Sequence, residues 1–132
     1  MRSIVIEDYE IINKWWKLHG EKCPPKLCDL PDRGLGGVMV EKNGNPVCAN
    51  YLYLTNSSMG YLANAISNPQ YKSRDRIELI QILLDECIRR AEALGCTFIW
   101  CTSNERGVIR RCKRAGFHVL EPKQNIITKN ID

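Results

Sequence analysis

The sequence lacks a long apolar run, and its first residues do not form one either. No segment of the 132 residues approaches the roughly 20 consecutive apolar residues that span a bilayer. The opening stretch MRSIVIEDYE reaches acidic residues almost at once and holds no small-residue cleavage site, unlike a secretory signal. We therefore expect no membrane segment and a cytoplasmic protein.

Histidine is scarce, and this limits the catalytic chemistry. The two histidines, His19 and His118, are far apart in sequence, and each is isolated from other catalytic residue types. No Ser/His/Asp or Cys/His arrangement can be assembled from such a pattern. The sequence therefore does not favour hydrolysis through an activated nucleophile.

The seven cysteines are an odd number, which does not suit a disulfide framework. Cys87 lies in a helical pattern and Cys48 in a strand-like one, as expected for reduced cysteines used as small hydrophobes. Two C-x4-C pairs occur, at Cys23/Cys28 and Cys96/Cys101. Residues five apart on a strand face opposite ways, and zinc ligands are usually spaced more closely, so we predict no metal site.

Internal repeats and low-complexity segments are also missing, and the composition is that of an ordinary globular protein, with 44% hydrophobic and 26% charged residues. The length suits one domain spanning 1–132. The net charge is +4, and basic residues concentrate between Glu105 and Lys123. This cluster is either a solvated helix face or a surface for an anionic ligand or acidic partner.

Hydrophobic periodicity and turn residues predict the order of the elements. Asn43-Gly44 supplies the positive backbone angles of a tight hairpin. The first half is predicted to contain a strand (RSIVIE), a helix from Asp8, which caps it, to about His19, a loop (CPPKLCDLPDRGLGG), and two strands around KNGNP. A third strand of this sheet (YLANAISN) precedes a long helix that ends at Gly95. The rest is predicted to form a buried strand (CTFIWCTS), a short helix from about Glu105 to Ala115, and strands in FHVLE and NIITKNI. The fold class is therefore α/β (α+β), with a mixed, mostly antiparallel sheet of about six strands and helices on both faces.

The segments ISNPQYKSRDR and TSNERGVIRRCKRAGFHVLE flank the predicted strand CTFIWC and its long helix. Together with the element order, they resemble the GNAT superfamily of acyl-CoA-dependent N-acyltransferases over almost the whole chain. Pro69, Tyr71 and Lys72 are similar to the family's lead-in to its pyrophosphate loop. Ala115 to Phe117, after a short helix led by an asparagine, is similar to its N…LGF segment.

The resemblance implies an acyl-CoA, most simply acetyl-CoA, as the acyl donor. It implies that extended backbone pairs with the pantetheine arm, that the turn before the long helix meets the pyrophosphate, and that an asparagine lies near the far end of the arm. The residues at these positions are Ala65, Ile66 and Ser67 for the arm, Lys72, Ser73, Arg74, Asp75 and Arg76 for the turn, and Asn104 for the far end.

The turn departs from the family pattern because its glycines are missing, and glycines let a backbone approach a ligand closely. Asp75 and Glu78 have the spacing of a capping box, in which they would occupy the first helical amides themselves. Alternatively, Arg74 and its neighbouring cations bind phosphate without those amides, because arginine can bind phosphate through two hydrogen bonds. Both interpretations stay open.

The resemblance also implies a general acid at the position held here by Cys112. The candidates for the base are Glu41, at the end of a central strand, and Tyr61 and Asn64, on the strand that faces the expected cleft. The implied function is N-acyl transfer, in the simplest case of an acetyl group, to a primary amine of a small molecule or of a protein lysine or N-terminus.

The alternative function is that of a catalytically degenerate GNAT-fold protein, of phage or host-interacting type, which contacts an acidic partner through its basic C-terminal helix. A net charge of +4 does not favour nucleic-acid binding. A small sheet has unpaired edge strands, and a second copy of the chain could pair with one of them to form a homodimer.

Overall fold

A computed structural model describes residues 1–120 and 127–131. The chain forms two compact units, Met1–Thr102 and Ser103–Asp132, and each is described by itself. The organisation as one domain stays a prediction. The first unit contains a sheet of five strands in the order β1-β2-β3-β4-β5. Their bounds are β1 Arg2–Ser3, β2 Gly37–Lys42, β3 Asn45–Leu54, β4 Met59–Ser67 and β5 Phe98–Trp100.

The hairpin between β2 and β3 is confirmed. Asn43 and Gly44 both have positive φ, 53° and 79°, as a two-residue turn of this kind requires. The first four strands pair antiparallel, and β5 joins β4 in parallel. This mixed, mostly antiparallel sheet confirms the predicted fold class.

Helices cover both faces of the sheet. Helix α1, Asp8–Leu18, brings Trp16 against Tyr51, with ring centroids 6.5 Å apart, in a fully buried cluster. Side chains alternate along a strand, so Cys48 faces the other way, and there its sulfur lies 3.9 Å from the carbonyl oxygen of Leu79. Leu79 belongs to helix α2, Arg76–Ala93. The buried residues of α2, Leu83, Leu84, Cys87 and Ala91, recur with the 3.6-residue period of one helix face.

Asp8 does not cap α1 as predicted. It is the first helical residue, and its carboxylate accepts hydrogen bonds from the Arg2 guanidinium at 2.7 and 2.8 Å and from the Val5 amide at 2.8 Å. The hydrogen bonds from Arg2, with a smaller effect from Val5, lower the pKa of Asp8 against the opposing effect of burial. This buried ion pair joins β1 to the start of α1.

The pKa of Asp8 is lower in the folded than in the unfolded chain. The ionised carboxylate therefore stabilises the fold fully at pH values above its unfolded-state pKa, and this stabilisation is lost as the pH falls through the folded-state pKa. We expect Asp8→Asn to reduce the free energy of unfolding by about 2 kcal/mol at pH 7, because Arg2 loses the buried one of its two charged partners, Asp8 and Glu41. In this variant the free energy of unfolding should also decrease less steeply as the pH falls below about 4. Urea titrations at pH 7 and pH 3 measure both effects, and an equal loss at the two pH values would contradict this account.

Two tyrosines hold the middle of the loop between α1 and β2. Tyr9 donates a hydrogen bond to the carbonyl of Pro25 at 2.9 Å, and Tyr53 donates one to the carbonyl of Asp29 at 3.0 Å. This predicted loop contains two 3-10 turns, Leu27–Asp29 and Pro31–Gly34.

The expectation of a buried fifth strand was wrong. Phe98 and Trp100 on β5 are 49% and 41% exposed, because β5 is an edge strand among the described residues and only its middle residue turns inward. In the second unit, helix α3 covers Arg106–Arg114. Residues 117–120 and 127–131 are not strands, so the two last predicted strands are absent there, and their remaining residues, 121, 125 and 126, lie outside the described residues.

Neither a disulfide nor a metal cluster occurs in the described part of the chain, which includes all seven cysteines. Over the same residues, no helix has both the length and the apolar character needed to cross a membrane.

Candidate functional site

Strand β4 extends further than its neighbour β5. The two strands pair in parallel only from Met59 opposite Phe98 to Tyr61 opposite Trp100. β5 ends there, whereas β4 continues to Ser67, and within residues 1–120 and 127–131 no strand pairs with this continuing edge. An open edge of strand backbone, which we call the groove, therefore extends from Tyr61 to Ser67.

A β-bulge lies in the same part of β4. Ala49 and Tyr51 of β3 face Ile66 and Ala63, so β4 contains one extra residue in this interval. Asn64 has φ +57°, and asparagine is among the few residues other than glycine that adopt this conformation readily. Bulges bend and twist a strand, which turns β4 away from the direction of β5.

The register of the sheet determines which β4 backbone groups face the groove. The amide of Asn68 donates to the carbonyl of Val47 at 2.7 Å. In an antiparallel pair the bonded positions alternate, so Ile66 bonds to β3, whereas the amide and carbonyl of Ser67 point to the open edge. Ala65 belongs to the bulge, where this alternation is interrupted. Of the three predicted arm-binding residues, Ile66 therefore presents no backbone group to the groove.

A histidine contacts the groove edge. The Nε2 atom of His19, the exposed residue that ends α1, lies 2.9 Å from the carbonyl oxygen of Ser67. A carbonyl only accepts hydrogen bonds, so Nε2 must carry the proton in this contact. A ligand that pairs with Ser67 would compete with His19 for this oxygen.

The capping box predicted at the start of α2 does not form. Asp75 has φ −81° and ψ 0° instead of the extended conformation of an N-cap, and it makes no side-chain cap hydrogen bond. Its carboxylate accepts a hydrogen bond from Tyr71 at 2.8 Å and pairs with Lys42 at 3.1 Å. Hydrogen bonds from Ser73, Tyr71 and Lys42 lower the pKa of Asp75 to about 2.

The start of α2 therefore keeps its donors. The Arg76 amide bonds to the carbonyl of Ser73, but no described residue accepts from the amides of Ile77 and Glu78. The first amides of a helix carry partial positive charge and attract anions. Lys72, Arg74 and Arg76 are exposed beside them, and none forms an ion pair with a described residue.

An aromatic group lies at the closed end of the groove. The rings of Tyr61 and Trp100 have centroids 4.3 Å apart, and Tyr53 lies 5.9 Å from Tyr61. Tyr53 also accepts a hydrogen bond from Asn64 at 2.6 Å, and the Tyr61 hydroxyl lies 3.4 Å from that of Thr102. We call the three rings of Tyr53, Tyr61 and Trp100 the aromatic shelf.

The structure brings only some of the predicted site residues together. Tyr61 lies where the groove opens, but Glu41 is on β2, two strands away, where its carboxylate accepts a hydrogen bond from Arg2 at 2.8 Å. Asn104 and Cys112 belong to the second unit, Asn104 exposed before α3 and Cys112 half-buried within it. The roles given to Glu41, Cys112 and Asn104 stay predictions.

Sequence reasoning missed the shelf and the bulge. Tyr53 and Trp100 were each part of a predicted strand, and only the pairing of β4 with β5 brings Trp100 against Tyr61. Alternation along Tyr51 and Tyr53 did place both rings on one face. No local signal marks Asn64, because an asparagine within a strand pattern only occasionally adopts a positive φ.

No known protein family matches the sequence, and no curated protein does. Solved structures do match the fold. An acetyltransferase of Trypanosoma brucei has a TM-score of 0.67 at 15% identity, covering 96% of this chain and 97% of its own. The chain has the GNAT fold.

Two further GNAT-fold structures contain CoA. The aminoglycoside N-acetyltransferase AAC(6')-Iy in complex with CoA has a TM-score of 0.61 at 15% identity, with 98% of each chain covered. The N-acetylglutamate synthase of Neisseria gonorrhoeae, complexed with CoA and N-acetyl-glutamate, has a TM-score of 0.68 at 19% identity, covering 86% of this chain and 27% of its own. These identities establish the fold and leave activity to be argued from the site.

Proposed function

We propose that the chain binds an acyl-CoA, acetyl-CoA in the simplest case, in the groove beyond Tyr61 and transfers the acyl group to a primary amine. The observation that carries this proposal is the edge of β4, which continues past β5 and presents unpaired backbone groups. An extended chain with amide groups, such as pantetheine, can pair with such an edge as a further strand would.

In the proposed complex, the pantetheine amides pair with the backbone of Ala65 and Ser67. The arm displaces His19 from the carbonyl of Ser67, so His19 is the contact that binding must break. Ile66 supports the edge instead, because its backbone bonds to β3 and its side chain packs on the core near α1.

The diphosphate is proposed to lie at the start of α2. The amides of Ile77 and Glu78 donate to it, and Lys72, Arg74 and Arg76 supply three cations in five residues. Asp75 and Ser73 would not contact it directly. The Asp75 carboxylate is turned to Lys42 and Tyr71, which neutralises the charge that would otherwise repel phosphate.

The acyl transfer itself needs orientation more than a strong nucleophile. The amine nitrogen attacks the thioester carbonyl carbon, the carbon–sulfur bond breaks, the amine loses a proton and the CoA thiolate gains one. Of the three proposed catalytic residues, Tyr61 lies at the closed end of the groove, so we assign its hydroxyl to proton exchange with the departing thiolate. Cys112 and Glu41 remain the other candidates.

The proposed pairing with Ser67 can be tested by removing its amide. We expect Ser67→Pro to weaken acetyl-CoA binding about fivefold, the value of one backbone hydrogen bond, without unfolding the sheet, because this amide does not bond to β3. Ile66→Pro is the matched control, since it removes a bond to β3 and should lower the melting temperature. Calorimetry and thermal melts compare the two, and an unchanged affinity in Ser67→Pro would contradict the pairing.

The proposed function as a whole is tested by isothermal titration with acetyl-CoA, followed by a thiol-release assay with primary amines. Heat of binding together with amine-dependent release of CoA supports it. The absence of binding heat at submillimolar acetyl-CoA would contradict the proposed function.

A second candidate function rests on the residues of helix α3 alone. Arg106, Arg110, Lys113 and Arg114 are all exposed, and their spacing places them along one side of the helix, which contains no acidic residue. Such a face suits an acidic protein partner. Arg110→Glu with Arg114→Glu should abolish retention on immobilised polyglutamate at low salt. Retention equal to that of the unaltered protein would exclude this candidate.

A further inference from the structure

We infer that the aromatic shelf binds the ring of an arylalkyl primary amine, which defines the class of acyl acceptor. This inference rests on the proposed function, because the shelf is assigned to the acceptor only if acyl-CoA occupies the adjoining groove. It adds a substrate class that the fold does not specify.

The position of the shelf supports this assignment. Tyr61 and Trp100 are the last paired residues of β4 and β5, so their rings border the closed end of the groove. In the proposed complex, the thioester at the tip of the pantetheine arm reaches this end. An amine attached by a short linker to a ring on the shelf could therefore reach the thioester carbon.

The exposure and spacing of the rings suit stacking. Trp100 is 41% exposed, although tryptophan is usually well buried, and its ring forms a close, tilted pair with Tyr61. Aromatic rings add to such a pair in offset or edge-to-face contact, at centroid distances of roughly 4.5 to 7 Å. An aliphatic amine of the same size would cover the same apolar area but gain no ring–ring attraction.

One edge of the shelf can also attract the amine. Tyr53 holds the backbone of the exposed residue Asp29 through a hydrogen bond of 3.0 Å. Burial chiefly raises the pKa of Tyr53 against the hydrogen bond from Asn64, and the negative charges of Tyr61 and Asp29 add smaller increases. An ammonium arriving with its ring on the shelf would meet the negative charge of Asp29 before it loses its proton.

The test uses two ligands of similar size, 2-phenylethylamine and 2-cyclohexylethylamine, titrated into the full chain and followed by NMR of the ligand protons, with and without CoA. We expect the aromatic amine to bind about fivefold more tightly, the value of one ring–ring contact. Trp100→Phe should keep this preference and Trp100→Leu should abolish it. Phe98→Leu, which alters an equally exposed ring two residues earlier on β5, should leave the preference intact.

Equal affinity for the two amines, or a preference that survives in Trp100→Leu or disappears in Phe98→Leu, would overturn the inference. The amine titration without CoA needs neither cofactor nor turnover. If acetyl-CoA fails to bind but the preference depends on Trp100, the transferase proposal fails and the shelf remains a binding site for arylalkyl amines. If acetyl-CoA binds but no preference appears, only the substrate class is wrong.

Discussion

Reversing the charges of Arg74 and Arg76 is expected to weaken acetyl-CoA binding about 100-fold. Charge-assisted hydrogen bonds from arginine to phosphate contribute roughly 1.5 to 3 kcal/mol each, and the reversed side chains would in addition repel the diphosphate. Both arginines are exposed and unpaired with any described residue, so the folded structure should be little affected. Isothermal titration of the double variant Arg74→Glu, Arg76→Glu measures the loss.

The control for this variant is Lys14→Glu with Lys17→Glu, which changes the net charge equally on the exposed side of α1. A general electrostatic effect would weaken binding in both variants by the same small factor and would fade as salt is added. A similar loss in both variants at physiological salt would contradict a specific diphosphate site at the start of α2.

Truncating Trp16 is expected to have the largest effect on stability. Trp16 is 6% exposed and packs on the fully buried ring of Tyr51. Trp16→Ala should reduce the free energy of unfolding by about 4 kcal/mol, because it removes a large buried ring and leaves a cavity between α1 and the sheet. Urea denaturation monitored by far-UV circular dichroism measures this change.

Trp100→Ala is the matched control, since it removes the same ring from a position 41% exposed. Its cost should stay below about 1 kcal/mol, as expected for a residue outside the core. Equal losses in the two variants would mean that the shelf is part of the core, and they would weaken its assignment as a ligand site.

The regular elements of this fold could be predicted because their signals are local. Asn43-Gly44 requires no information beyond its own backbone preferences to turn the chain. The apolar residues of α2 from Leu83 to Ala91 repeat with the helical period, and that alone fixes the buried face. The order of these elements carried the resemblance to the GNAT superfamily, and the structure confirms that fold.

The start of α2 could not be predicted, because its outcome depends on partners distant in sequence. The spacing of Asp75 and Glu78 favours a capping box. Lys42, at the end of β2, draws the Asp75 carboxylate away from the helix, and Tyr71 does the same from within the turn. Only the folded sheet brings Lys42 to this position, so a local pattern gave the wrong interpretation.

The groove and the shelf depend on strand pairing. The sequence CTFIWCTS predicts a strand, but not that it ends at Trp100 while β4 continues to Ser67. Which β4 amides face the groove follows from a one-residue shift in register at the bulge. The predicted arm-binding residues therefore included Ile66, whose backbone is bonded to β3, together with Ala65 in the bulge and Ser67, whose backbone groups face the groove.

The central claim is that acyl-CoA lies along the open edge of β4 with its diphosphate at the start of α2. An amide NMR titration with acetyl-CoA tests this claim most directly. The account predicts that the amides of Ala65, Ser67, Ile77 and Glu78 shift together with one dissociation constant, while that of Ile66 moves least among the neighbouring β4 residues. Shifts confined to α3, or none at submillimolar acetyl-CoA, would contradict it.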